Sequence, residues 1–420
     1  MKDDLKVLIV SASDSKGGAA KVAYYNALGL KQRGVDVDLL VGDKQSAAAF
    51  VTELEPAKKN RLIGKFEYRA GVNNLNISNE RRYNKIFEAG AKPYDIVHLH
   101  DPPSSLNIFD LAKILRRQRV VWTIHSMAPL TGNCLFSYDC NRWQGGCGAC
   151  PQFGKWPLIY QHRDASALNL RAKRFAYKTS KCIDVVGVSH WTSRQIERSI
   201  LGQHRIHTVE NPSWAPDYFP IEQRSARRAL GVPEDAFAIM FAVSGNHQDR
   251  RKGLDIIASA LQQIQTNMPE LWSRLFLLPT GIIDPSQELS ENLQAISGLP
   301  PQHVSDVETL RTYYSAADVI WHPSRADTSS MVGLEAQGCG TPSIAASVGG
   351  VPEVVEHEVS GLLIPQESAA SLANATAEFF GNSKLRNRLQ VGALEAAKRK
   401  SPDRFIDEYL GVYRRALSDV

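Results

Sequence analysis

Asp327 and Glu335 stand eight residues apart in SRADTSSMVGLEAQGCGTPSIAASVGGVPEVV, residues 324–355. The strand-like run VIWHPS ends there in a polar loop, and a short helix is expected to begin near Ser330. Backbone N–H groups at a helix start bind phosphates, while carboxylates accept hydrogen bonds from sugar hydroxyls. A nucleotide sugar asks for both at once. For an isolated pair, an N-cap aspartate and a surface glutamate would be the simpler account. A second cluster lies upstream, in NHQDRRKGLDIIASAL (246–261), where Arg250, Arg251 and Lys252 precede Gly253 at the opening of a helix. Cations at that end oppose the positive pole of the helix macrodipole, so their placement points to a bound anion. Gly17 and Gly18 follow the first strand-like run and precede a helix, a loop on which backbone can approach a phosphate or an acceptor closely. The spacing is not a GxGxxG fingerprint, which argues against a nicotinamide enzyme.

Three histidines end apolar runs: His98 and His100 in DIVHLHDPP, and His125 in VVWTIHSMAPLTG. No Ser/His/Asp triad is visible in the order of the chain. The stretch CLFSYDCNRWQGGCGAC (134–150) holds four of the six cysteines, Cys134, Cys140, Cys147 and Cys150. Two residues between Cys147 and Cys150 let both thiolates reach one ion, as in half a zinc knuckle. Structural zinc, two disulfides and four unpaired thiols all remain open, with zinc ranked first because a reducing compartment suits thiolates. Cys182 and Cys339 read as core residues.

Stepping these residues into place requires an alternation of strands and helices, and the sequence has it. KVLIVSAS, VDVDLLVG, YDIVHLH, RVVWTIH and DVVGVS are nearly continuous apolar runs of the kind that parallel strands buried on both faces show. AAKVAYYNALGLKQRG is a helix ended by Gly34. After the Pro-rich break at 207–220 the pattern restarts with AIMFAVSG, RLFLLPTG, ADVIWHPS, TPSIAAS and GLLIP. Two such series predict two doubly wound, Rossmann-like α/β domains, 1–212 and 213–395, with the expected ligand cleft between them. Residues 396–420 read as a helical tail that packs back on the first domain, with a break near Ser401-Pro402.

The 420 residues are 43% hydrophobic and 22% charged, with a formal net charge of +5, which describes a globular chain and does not by itself argue for nucleic acid. The apolar runs are too short to span a bilayer. The N-terminus lacks the apolar core of a signal peptide, so a cytoplasmic location is expected. Basic runs at 116–119 and 171–181 are either solvated helix faces or a face resting on anionic lipid.

The 324–355 stretch resembles the E-x7-E region of retaining GT-B glycosyltransferases of family 4, with EA…GCGTPSIAASVGGVPE continuing the likeness. The resemblance implies the GT-B fold. It implies Glu335 on the nucleotide ribose and Asp327 on hydroxyls of the transferred sugar, with the Met331, Val332 and Gly333 amides nearby. Here Asp327 stands for the usual first Glu, and TSSM for GFGL. Lys252 maps onto the family's diphosphate-binding Lys. The family's Arg falls near His247, so Arg250 or Arg251 must replace it. VSDVETLRTYYSAADVIWHPS resembles the family's segment before the donor loop and puts His303 and Val304 near the base. Position after the first strand gives Gly17 and Gly18 a place at the donor phosphate or acceptor. His125 becomes a sugar contact, and His98 and His100 line the acceptor side. The segment from VWTIH through the cysteines resembles a subgroup that builds bacterial exopolysaccharide and O-antigen, of the colanic-acid type.

The expectation is therefore a hexosyltransferase. It would take a UDP- or GDP-linked sugar, act on a carbohydrate or polyprenyl-diphosphate-linked acceptor, require no cofactor for transfer, and sit at the inner membrane face. A nucleotide-sugar epimerase on the same fold and a zinc-dependent nucleic-acid binder are the alternatives. The latter leaves residues 324–355 unexplained.

Overall fold

The computed structural model describes residues 5–87, 93–101, 106–156, 158, 162–178, 183–213, 217–242, 249–281, 296–304 and 306–418. The chain divides into two compact units, Met1–Glu210 with Asp403–Val420, and Asn211–Pro402. His247 and Cys182 lie outside the described residues.

In the first unit seven parallel strands form one sheet: β1 Lys6–Ser11, β2 Asp36–Val41, β3 Val51–Glu53, β4 Ile96–Leu99, β5 Val120–Ile124, β6 Ile183–Gly187 and β7 Arg205–Thr208. Their order is β3-β2-β1-β4-β5-β6-β7. The central strands β4, β5 and β6 are buried at every residue, as their Val/Ile-rich runs require. The core on one side gathers Val97, Leu99, Trp122, Ile124 and Val185 with Trp143 and Tyr177. The helices Ser383–Arg399 and Pro402–Ser418 meet at 400–401, and the residues from Asp403 onward belong to the first unit. The stretch expected as one tail is thus divided, its first residues finishing a helix of the second unit.

The second unit holds five parallel strands, β8 Phe237–Ala242, β9 Leu275–Thr280, β10 Val319–His322, β11 Ser343–Ala346 and β12 Gly361–Ile364, in the order β12-β11-β10-β8-β9. Phe241, Ile257, Leu277, Trp321 and Phe379 are among the side chains of its main core. In each sheet the strand order reverses once, at β1/β4 and at β8/β10. Open α/β sheets bind ligands beyond the carboxyl ends of the strands at such points. The segments leaving β1, β4, β8 and β10 carry Gly17, His100, Lys252 and Asp327.

Candidate active site

In the second unit the loop after β8 and the loop after β10 are fastened together. Gly253 lies at φ 70°, and a Cβ there would run into the Pro323 carbonyl, so close approach of the two loops requires glycine. Arg325 is the strap. Its backbone N–H donates to the Arg251 carbonyl at 2.8 Å, and its guanidinium donates to both Asp255 oxygens at 2.7 and 2.8 Å and to the Arg250 carbonyl at 2.8 Å. Lys252 Nζ then stands 3.6 Å from Asp327 Oδ2, with both side chains largely buried.

Of the two arginines the structure separates the roles. Arg250 is exposed and pairs with Asp255 at 3.0 Å. Arg251 is mostly buried, 3.7 Å from Asp249, and its charge acts on both Lys252 and Asp327. Burial would raise the Asp327 carboxyl, but the Lys252 charge and the His322 hydrogen bond outweigh it and hold it far below the usual carboxylate range. Burial lowers Lys252, and Arg251 adds to this while Asp327 opposes it. The site is a compact cluster of two carboxylates, Asp249 and Asp327, with two cations, Arg251 and Lys252.

The helix Met331–Gly338 begins where expected, with Ser330 as N-cap. Ser330 Oγ accepts the Gly333 amide at 3.0 Å, so of the Met331, Val332 and Gly333 amides expected near a ligand, Gly333's is already committed to the cap. Glu335 is buried and accepts a hydrogen bond from the Tyr314 hydroxyl at 2.7 Å. Burial, then the Glu335 charge, raises the Tyr314 phenol well above its ordinary value, which keeps it a donor. His303 is exposed and Val304 half-buried, just past Gln302, which pairs with Thr280 at the end of β9.

Sequence reasoning did not single out His322, Tyr314 or Arg325, and named Ser330 only as the start of the helix. The position of His322, last in its strand and five residues before Asp327, was the available signal.

In the first unit, His98 and His100 share one face of β4 and its extension, by the two-residue period of a strand. Thr123 and His125 do the same on β5. His98 Nε2 lies 2.8 Å from Thr123 Oγ1, and His100 Nδ1 lies 2.8 Å from His125 Nε2. Tyr413 and Tyr409, from the last helix, close the group. The Tyr413 hydroxyl is 2.7 Å from His98 Nδ1, and the Tyr409 hydroxyl is 2.8 Å from Thr123 Oγ1. Burial and the neighbouring His125 push His98 down to about 3, burial alone takes His125 to about 3, and His100 is lowered well below its ordinary value. All three imidazoles are therefore neutral near pH 7. Asp101, directly after His100, is raised by burial to about 6.

Gly17 takes φ 90° ahead of the helix Gly18–Gln32, with open space where a Cβ would stand. The loop before it is held by buried Asp14, which accepts from the Gln45 and Ser46 amides at 2.9 and 2.8 Å.

The cysteines are placed differently from the expectation of a zinc centre. All four are free, the Cys134 and Cys150 thiols hydrogen-bond to each other, and the Gly132 amide donates to Cys147 Sγ at 3.4 Å. Among the described residues no three His, Cys, Asp or Glu side chains converge as a metal centre would require. The segment leading into the loop is held by buried Lys173, whose ammonium donates to the Ala128 and Thr131 carbonyls at 2.8 and 2.9 Å. Cys339 is buried in the second unit.

Residues 16–212 match the family model described as Glycosyltransferase Family 4, and residues 238–382 match Glycosyl transferases group 1. A D-inositol 3-phosphate glycosyltransferase of Saccharomonospora viridis is 37% identical over 211 residues, 47% of this chain and 47% of that protein. The chain thus spans about half the length of the curated relatives it matches. Among solved structures, sucrose-phosphate synthase from Thermosynechococcus elongatus superposes with a TM-score of 0.67 at 19% identity, covering 99% of this chain and all of that one. Anabaena Alr3699/HepE in complex with UDP-glucose gives 0.64 at 17% identity, covering 98% and 100%. The relatives' names specify an inositol phosphate glycosyltransferase and not the colanic-acid or O-antigen type. The chain has the GT-B fold, two parallel-sheet α/β domains, the first similar to Glycosyltransferase Family 4 over 16–212 and the second to Glycosyl transferases group 1 over 238–382.

Proposed function

We propose that this chain is a retaining glycosyltransferase that moves a hexosyl unit from a nucleotide-diphosphate sugar to a carbohydrate or lipid-linked oligosaccharide. The observation that carries the reading is the cluster beyond β8 and β10, where Lys252 meets Asp327 beside the helix of Glu335. Lys252 and Arg251 take the donor diphosphate. Glu335, oriented by Tyr314, takes the ribose, and Asp327 takes hydroxyls of the sugar with the Met331 and Val332 amides close by. His303 and Val304 lie toward the base. In the first unit Gly17 and Gly18 offer backbone to a phosphate or the acceptor, His125 contacts the sugar, and His98 and His100 support the acceptor side.

In the reaction, the bond from the anomeric carbon to the diphosphate oxygen breaks and its electron pair leaves with the phosphate. The acceptor oxygen bonds to that carbon on the same face and passes its proton to the departing phosphate oxygen. Fixed cations aimed at a leaving group that gains charge are worth most in a water-poor site. The transfer draws on these side chains and on no cofactor.

The likeness of the cysteine stretch supports a role in bacterial surface polysaccharide synthesis at the inner membrane face. The relatives' names support a smaller phosphorylated acceptor. Among the described residues no helix is long and apolar enough to cross a membrane. A thermal-shift panel of UDP-, GDP- and ADP-sugars tests the donor side, since a ligand bound by the folded chain raises its midpoint. Isolation of a glycosylated product separates transfer from epimerisation, and no shift with any nucleotide sugar would overturn the reading.

A further inference from the structure

Three neighbouring helices of the first unit turn large apolar side chains outward, and the two acids they hold between them are both buried. On Arg61–Ala70 the acid, Glu67, is buried and accepts the Ile77 amide. Leu62 and Phe66 are 79% and 66% exposed, among exposed Arg61, Lys65 and Arg69. On Ile108–Arg117 the acid, Asp110, is buried and accepts the Arg82 and Tyr83 amides at 3.0 and 3.1 Å. Phe109, Arg116 and Arg117 are exposed, and the Arg81 guanidinium stacks 4.0 Å above the Phe109 ring. Ser166–Lys178 has no acid at all. Its Asn169 and Lys173 are buried, whereas Leu168 and Phe175 are 52% and 76% exposed beside Arg171, Arg174 and Lys178.

The three helices meet. Asn169 Nδ2 donates to the Gly71 carbonyl at 3.1 Å, and Ala70, Val72, Leu75 and Ala165 form one small apolar cluster with Ile108 and Ala172. An ordinary surface helix does the reverse, with apolar residues inward and charges of both signs outward. Here the two acids that would balance the cations are withdrawn to backbone amides. What is left outside is leucine and phenylalanine ringed by positive charge.

We propose that this three-helix face rests on an anionic lipid bilayer, with Leu62, Phe66, Leu168 and Phe175 entering the boundary between headgroups and acyl chains. Side chains of this kind lie at that depth while arginines and lysines stay with the anionic headgroups. Charge complementarity selects the partner, because a neutral apolar partner has no use for a face swept of carboxylates. The proposal stands apart from the transfer reaction, so its test needs no donor or acceptor.

The full chain is sedimented with vesicles of phosphatidylcholine alone and of phosphatidylcholine mixed with phosphatidylglycerol, at low and high salt. Binding is expected to the anionic vesicles, weakened by salt. Arg171→Glu with Arg174→Glu should weaken it about tenfold or more, as should Phe66→Ser with Phe175→Ser. These side chains are exposed, so thermal midpoints should stay at the wild-type value. Equal affinity for neutral and anionic vesicles, no binding, or variants that bind like the wild type would each overturn the proposal. Self-association of the chain without vesicle binding would overturn it in favour of a second copy.

Discussion

Ser330 Oγ lies 3.0 Å from His322 Nδ1 while accepting the Gly333 amide. The Asp327 carboxylate, held ionised, can only accept, so the hydrogen between it and His322 is the imidazole's, and Nδ1 is left to accept the Ser330 hydroxyl. His322 therefore carries its own hydrogen on Nε2, which stands 3.4 Å from Asp327 Oδ2. The carboxylate thus sets the tautomer of a histidine whose other nitrogen is held by the helix cap. Ser330→Ala should remove about 1 kcal/mol of capping and lower the midpoint of the second unit by about 2–4 °C. It should also raise the donor KM more than it lowers kcat. A variant with the lowered midpoint but wild-type KM would confine Ser330 to capping.

The cations before Gly253 are not equivalent. Lys252→Ala leaves Asp327 buried without its nearest cation, and should cost about 10²–10³ in kcat/KM, the range for loss of one preorganised charge. Arg251→Ala should follow it. Arg250→Ala should change kcat/KM less than about threefold, because an exposed pair is worth little. Steady-state kinetics on the three variants orders them, and an Arg250 effect as large as that of Lys252 would reverse the assignment. With the diphosphate neutralised by side chains, turnover should persist in EDTA.

His98, His100 and His125 give the first unit a distinctive response to acid. In the unfolded chain each titrates near 6.5, whereas in the fold His98 and His125 sit at about 3 and His100 well below its ordinary value. Between pH 6.5 and 3 the unfolded chain therefore binds more protons, and stability falls as pH falls. Each histidine contributes up to about 1.4 kcal/mol per pH unit in that window. The surrounding Tyr409, Tyr413, Thr123 and Asn26 supply no negative charge to offset this, while Asp101, raised by burial to about 6, takes up a proton in the fold and offsets about one histidine's share below that pH. Urea denaturation from pH 7.5 to 4.5 should show the decline, and His98→Gln should make it shallower. A profile equally steep in that variant would contradict the account.

Much of the fold is legible because the central strands write their burial into the sequence as unbroken apolar runs. The two strands without such a run, Val51–Glu53 and Arg205–Thr208, are the edges of the first sheet, where every side chain but buried Val51 is half-buried or exposed. The acids and Lys252 of the candidate site are legible because they fall in one motif and one short loop. Arg251 could not be told from Arg250 by spacing, since the choice depends on Asp255 and Arg325 claiming the latter's surroundings. Tyr413 was not legible because its partner His98 is 315 residues away in sequence. The cysteine spacing suggested zinc, but it does not record that Lys173 holds the segment leading into that loop through the Ala128 and Thr131 carbonyls.

The most direct test of the central claim is turnover of a nucleotide-diphosphate sugar by the wild-type chain and by Glu335→Ala, with circular dichroism as a control on folding. The account predicts a glycosylated product from the wild type and a loss of donor turnover in a folded variant. Wild-type turnover by Glu335→Ala would contradict it.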